Sequence, residues 1–210
     1  MNGPAIPAAC AHRPTHGGLV VPYVSFEHNG LPVFGGLDPG KRTRAFENGL
    51  CQICERPLER WFYVLVRPQD VGIGYAPEPG LHPPCLVYSE KACPILNGTK
   101  DTYRSGGVIS RHPAGRPCDD PACSCPTTAP TAETLVRAGR KADDWDAWML
   151  SADQYELHRD AHGAAVGIQL PSGPKRIRRV RVSPERKRGL ALVAALLELG
   201  ATASPMPGPR

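Results

Sequence analysis

Residues 51–54 of this 210-residue chain read Cys-Gln-Ile-Cys and residues 82–85 read His-Pro-Pro-Cys, with 27 residues between the two pairs. A CxxC turn holds two sulfurs a few ångströms apart, the spacing a tetrahedral ion needs. The later pair runs into Leu-Val-Tyr-Ser-Glu-Lys-Ala-Cys93, which fits the first turns of a helix presenting two more donors. Cys51, Cys54, His82 and Cys85 then form a closed Cys3His set, and a set with no position left for water or substrate is a structural zinc site, not a catalytic one. The alternatives are disulfides, or cysteines that serve only as small buried apolar residues. Disulfides need an oxidising compartment, and MNGPAIPAAC at residues 1–10 has neither the basic start nor the apolar run of a secretory signal. The expected setting is therefore the reducing cytoplasm. Cys93 lies eight residues beyond Cys85, two helical turns away, which suits a core residue or a ligand elsewhere better than a substitute fourth donor.

Around the ligands the pattern is short elements. Arg60 to Arg67 (RWFYVLVR) is a strand, Pro68 to Asp70 the turn out of it, Val71 to Tyr75 the return strand, and Pro77 to Gly80 a break before the helix. Knuckle, hairpin and ligand-bearing helix, in that order, resemble a treble-clef zinc finger. Upstream, Val20 to His28 is a strand, Asn29-Gly30 a hairpin turn and Leu31 to Phe34 the return. Asp38 and Pro39 suit the N-cap and first position of a helix running through Asn48, with Gly49 at its end. Gly35 to Arg42 (GGLDPGKR) comes close to the phosphate-binding GxxxxGK[ST] loop. It puts an arginine where magnesium ligation needs a hydroxyl, and Pro39 removes a loop N–H, so no nucleotide site is expected.

The chain holds 24 prolines and 22 glycines, over a fifth of its length, while aromatics make up only 6%. That argues for small metal-stapled modules over one large core. The expected fold is α+β: a small zinc-stabilised treble-clef module with β-hairpins, plus a small antiparallel sheet and a C-terminal helix. Residues 1–17 are expected as a disordered arm, 18–100 as the hairpin and zinc domain, 101–130 as a Cys/Pro-rich loop, 131–200 as an α-βββ-α module and 201–210 as a disordered tail. The loop carries a candidate second zinc set, His112, Cys118, Cys123 and Cys125, with Cys93 able to replace the histidine. The cofactor expectation is one Zn2+, or two.

In the C-terminal module, Thr131 to Lys141 is expected as a helix. Asp143 to Leu150 is expected as a further turn or two, with Trp145 and Trp148 on one face. Three strands follow (Gln154 to Arg159, Ala164 to Leu170, Arg176 to Val182), then a helix opened by Ser183-Pro184 and stopped at Gly200. The longest apolar run, Leu190 to Leu197, is too short to span a bilayer.

Net charge is +5, but Lys175 to Arg188 alone holds eight basic residues and one acid, so the rest of the chain sums to −2. Lys175, Arg176, Arg178, Arg179, Arg181, Arg186, Lys187 and Arg188 are candidate contacts to nucleic-acid phosphates. The helix, three strands, basic-start helix order resembles a double-stranded RNA-binding domain, and also the three-strand-plus-helix DNA-binding modules of some recombinases.

LVVPYVSFEHNGLPVF, LCQICERPL, EPGLHPPCLVYSEKACPIL and QYELHRDAHGAAVGIQLPSGPKRIRRVRV together resemble a group of uncharacterised treble-clef zinc-finger-like proteins encoded by actinobacteria, their phages and prophages. The resemblance covers residues 20–96 and 150–182. It implies the ligands Cys51, Cys54, His82 and Cys85 and a phage or mobile-element context, and carries no activity.

No nucleophile elbow, HExxH or acidic magnesium cluster is present in the sequence. An HNH-type nuclease needs a histidine base on the hairpin, and WFYVLVRPQDVGIGY has none. The expectation is a non-enzymatic, zinc-stabilised protein that binds nucleic acid through residues 175–188. The alternative is a phage or mobile-element protein-interaction adaptor working through an apolar patch such as Trp61, Phe62 or the Trp145/Trp148 face. No membrane and no small-molecule substrate is expected as a partner.

Overall fold

Aromatic and β-branched residues favour an extended backbone, and in this computed structural model residues 61–66 form a strand that lies between the two larger buried clusters. The structure describes residues 3–28, 30–103 and 136–202, with side chains through residue 198. A 3-10 turn at Ala8–Cys10 leads into β1 (Thr15–His16), β2 (Leu19–Val20), β3 (Ser25–His28), β4 (Leu31–Leu37) and α1 (Pro39–Glu47). Next come β5 (Trp61–Val66), α2 (Pro68–Ile73), β6 (Tyr75–Ala76) and α3 (Pro83–Ala92). After the undescribed stretch follow β7 (Trp145–Ser151), a 3-10 turn at Ala152–Gln154, β8 (Leu157–Arg159), β9 (Ala165–Gln169), β10 (Arg176–Arg181) and α4 (Pro184–Thr202). The fold is mixed α/β, with small antiparallel sheets and a C-terminal helix.

Two sheets have three strands, in the orders β10-β7-β5 and β6-β9-β8, while β1-β2 and β3-β4 are two-stranded. Trp61 pairs with Ser151 and Val66 with Asp146, and Tyr75 pairs with Gln169. The stretches expected as separate zinc and C-terminal modules thus contribute strands to the same sheets.

β5 shows why. Side chains alternate across a strand, and both faces of this one are covered. Tyr63 and Leu65 pack with Leu81, Leu86, Trp145, Ala147 and the cluster cysteines. Phe62, Val64 and Val66 pack with Phe46, Ala76, Leu150, Ala165 and Ile168. A strand buried on both faces divides two cores, and each large side chain so covered contributes about 1.5–3 kcal/mol.

Several expectations hold. The hairpin across residue 30 forms, with His28 paired to Leu31, though its first strand is Ser25–His28 and not the expected Val20–His28, and its second runs on to Leu37; α1 starts on Asp38, whose carboxylate accepts from the Lys41 N–H at 2.9 Å. Strands at residues 157–159, 165–169 and 176–181 lie inside the three expected segments.

Others are corrected. Residues 3–17 are ordered: the 3-10 turn buries Cys10, β1 pairs with β2, and Arg13 reaches Glu55 at 2.7 Å. Pro68 to Ile73 is a helix, not a turn and return strand. Asp70 accepts from the Arg67 N–H at 2.8 Å and from its guanidinium, Pro68 sits at the first position, and Gly74 closes the helix at φ +83°. Residues 145–151 form strand β7 instead of a helical turn, because β5 offers them a full ladder of hydrogen bonds. The strand puts Trp145 in the core that holds Cys51, Cys54 and Cys85, and Trp148 against the other. Gly200 does not stop the last helix, which runs to Thr202. The expected helix from Thr131 is described only from residue 136, and the tail from residue 203 lies outside the described residues.

Candidate metal centre

Local backbone geometry delivers the four donors. The knuckle at Cys51–Cys54 is closed by Cys51 N–H donating to the Arg56 carbonyl at 2.9 Å and Glu55 N–H to the Cys51 carbonyl at 3.0 Å, with Glu55 at φ +67°. Gln52 ties the knuckle to the segment before α3: its backbone N–H donates to Gly80 at 3.0 Å and its side chain to the Pro79 carbonyl at 2.8 Å. Leu81 pairs with Tyr63 of β5 through two 2.8 Å backbone hydrogen bonds. That fixes His82 as the N-cap of α3 and places Cys85 in its first turn, where the helix dipole favours a thiolate.

The donor atoms of Cys51, Cys54, His82 and Cys85 all lie within 4.8 Å of one another, in a group that could hold a metal ion. All four residues are buried, the three cysteines at 0% exposure and His82 at 4%. His82 Nδ1 is 3.3 Å from Cys54 Sγ, near the edge of about 3.5 Å expected for sulfur and nitrogen on one tetrahedral zinc. The other ring nitrogen, Nε2, is 2.9 Å from the Pro57 carbonyl. A carbonyl only accepts, so Nε2 carries hydrogen and the neutral ring keeps its lone pair on Nδ1, aimed at the cluster.

The close approach of these groups also shifts how readily they hold protons. Cys51 is driven well below the usual thiol range, first by the hydrogen bond from Cys54, then by that from Cys85. Cys85 is pushed up, first by its hydrogen bond with Cys51. Hydrogen bonding to Cys54 raises His82 against its burial. Cys51, Cys85 and His82 thus compete for protons in a buried site, and a dication bound there would replace those protons with one central charge.

Cys10 is a further neighbour of this cluster, and no local spacing in the sequence marks it. Its Sγ lies 3.8 Å from Cys85 Sγ, and burial raises its thiol. Cys93 stands at the end of α3, half-buried against the metal-side core and outside the donor group, its thiol also raised by burial. His112, Cys118, Cys123 and Cys125 lie outside the described residues.

The basic segment is placed unevenly. Arg181 is buried and donates to Asp101 at 2.8 Å, to the Lys100 carbonyl at 3.1 Å and to the Ile95 carbonyl. Arg178 makes a two-pronged contact with Glu90 of α3. Arg179 reaches Asp144 and Asp146, both at 2.7 Å, and Arg186 reaches Asp144 at 3.4 Å. Burial would raise the Asp144 carboxyl, but the Ser183 N–H and the Arg179 guanidinium bring it below the ordinary range. Arg188 lies 3.4 Å from Glu185. Arg176 and Lys187 are exposed, and Lys175 sits 5.7 Å over the Trp61 ring, which Arg60 also covers at 5.4 Å.

The phosphate-loop near-match is tied up within the fold. Lys41 pairs with Glu27 at 2.8 Å, and Arg42 donates to the Pro77 and Val166 carbonyls at 2.8 and 2.9 Å. No helix among the described residues is long and apolar enough to cross a membrane. Comparison with protein-family profiles, with curated proteins and with solved structures finds no match to this chain.

Proposed function

We propose that this chain is a non-enzymatic protein stabilised by one zinc ion in a treble-clef site, acting by binding a partner. The observation that carries this reading is the closed, buried Cys3His group: every donor faces the others, leaving no position at which an ion could meet substrate. The knuckle and the ligand-bearing α3 support the treble clef. Between them, β5, α2 and the short β6 stand where a simple hairpin was expected. Free thiols at Cys10, Cys51, Cys54, Cys85 and Cys93 suit a reducing cytoplasm, and the phage or mobile-element context stays part of the proposal.

Native mass spectrometry of protein purified without chelators tests it. The expected result is one zinc per chain in the described site, removed by EDTA together with cooperative unfolding. Cys51→Ser should lose both, because structural zinc carries on the order of 10 kcal/mol of folding free energy. A fully folded, metal-free Cys51→Ser protein would refute the structural role.

For the partner, a protein surface is the better-supported class. Arg178, Arg179 and Arg181 already hold β10 to the body, which removes much of the charge that a phosphate contact would use, while α4 presents exposed apolar side chains. Nucleic acid is the second reading, favoured by the Arg60–Trp61–Lys175 stack and by exposed Arg176 and Lys187. Binding to duplex or single-stranded DNA or RNA that falls steeply with salt, and is lost on Lys175→Ala/Arg176→Ala, would reverse this order.

A further inference from the structure

A cavity of about 530 Å³ opens between the N-terminal arm, strand β3, the start of α1 and Glu55, the residue that follows the Cys51–Cys54 knuckle. Six of its nine lining residues are charged, so it suits a polar ligand and not an apolar one. The three acids among them are engaged. Glu55 pairs with Arg13 at 2.7 Å, Glu27 with Lys41 at 2.8 Å, and Asp38 accepts from the Lys41 N–H at 2.9 Å. What remains open is a set of donors. Arg44 is exposed and makes no ion pair among the described residues. Gly40 is the second residue of α1, where a backbone N–H has no carbonyl of its own helix to meet. Tyr23 is 3% exposed, and its hydroxyl is buried with no hydrogen-bond partner among the described residues. Such a group costs stability unless something satisfies it. Tyr23 stands in the cavity wall, with the Arg13 guanidinium 5.6 Å from the centre of its ring.

We propose that this cavity binds a small organic phosphate without magnesium, its phosphate group held by the Gly40 N–H, Lys41, Arg44 and the Tyr23 hydroxyl. A helix start favours an oxyanion, and two cations, a backbone N–H and a hydroxyl on one cavity match the several oxygens of a phosphate better than the two of a carboxylate. The stretch that nearly matches the phosphate loop, Gly35 to Arg42, brings Gly40 and Lys41 to this site. Its missing hydroxyl excludes magnesium ligation, and a phosphate held by cationic side chains alone needs none. Lys41 can turn to it, because its pair with Glu27 is partly exposed and so weakly held. Arg13, its side chain only 10% exposed and fixed by Glu55, adds a third positive charge beside it. A cavity of this size is in the range that small organic ligands fill, well beyond phosphate alone.

This inference goes beyond the partner-binding reading and does not depend on the metal. The experiment is isothermal titration calorimetry of the full chain, purified without chelators, with pyrophosphate and with inorganic phosphate in magnesium-free buffer at physiological ionic strength. Saturable binding at one site is expected, tighter for pyrophosphate, which fills more of the cavity. Arg44→Ala, at an exposed position, should weaken it about tenfold, as the loss of a charge-assisted hydrogen bond does. Tyr23→Phe should also weaken it severalfold, with a urea midpoint no lower than that of the native chain, because the removed hydroxyl has no partner to lose. No saturable binding of either probe overturns the proposal. So does native affinity in Arg44→Ala or in Tyr23→Phe, which places the anion elsewhere. Equal affinity for acetate overturns it as well, by making the site one for any small anion. Zinc is counted in each preparation, so a metal-free native chain that still binds phosphate refutes the zinc reading and leaves this one standing.

Discussion

Cys10 puts a fifth sulfur at the edge of the cluster. It is almost fully buried and 3.8 Å from Cys85, a distance suited to a thiol donating a weak hydrogen bond to a metal-bound thiolate. It is not one of the four mutually close donors. Cys10→Ala should therefore keep one metal per chain and cost about 1–2 kcal/mol from the small void and the lost contact, read from urea unfolding. Cys85→Ala should lose the metal entirely. Loss of metal in both variants would make Cys10 a ligand and Cys3His the wrong set. The four donors were legible because their spacing along the chain is local and chemical: two pairs, each within one turn. Cys10 was not, because its contact joins residues 75 positions apart through the packing of a turn that has no periodicity to announce it. Arg178, Arg179 and Arg181 show the same limit. Their charge is plain in the sequence, but the acids that neutralise them come from α3, from residue 101 and from β7 and the segment before it.

Among the elements, the pairing of β6 with β9 depends on one glycine. A Cβ on Gly167 would lie 2.3 Å from Cδ2 of Tyr75 and 2.7 Å from the Ala76 carbonyl oxygen. The ring is itself held, stacked on His158 at 4.2 Å between centroids, and a backbone oxygen in a sheet has nowhere to go. Gly167→Ala is expected to destabilise by about 1–3 kcal/mol, seen as a lower urea midpoint at unchanged zinc content. An unchanged midpoint would mean that β6 does not pack closely on Gly167. Element types were legible where local signals agreed, as in α1 with its Asp38 cap and Pro39. They failed where a signal had two uses. Pro68, Asp70 and Gly74 fit a turn as well as a short capped helix, and Trp145 and Trp148 fit one helical face as well as two faces of a strand. In the second case only β5, 80 to 90 positions earlier, decides.

Among the described residues the two larger cores lie on either side of β5, and each takes residues from both sequence halves. A fragment of residues 3–103 keeps all four metal donors but lacks β7 and β9. It should bind zinc yet show no cooperative thermal transition. A fragment that melts as sharply as the full chain would make the first half an independent domain. That β5 waits for β7 has a consequence during synthesis. At about 5–20 residues per second, some 4–18 seconds separate the emergence of Trp-Phe-Tyr-Val-Leu-Val from that of its partner strand. Throughout that interval the edge of this apolar, β-prone hexapeptide that later pairs with β7 stays open, while its Tyr63 is bridged to Leu81. A cell short of zinc, in which the loop bearing Leu81 closes late, would meet this protein first as a burden on its chaperones.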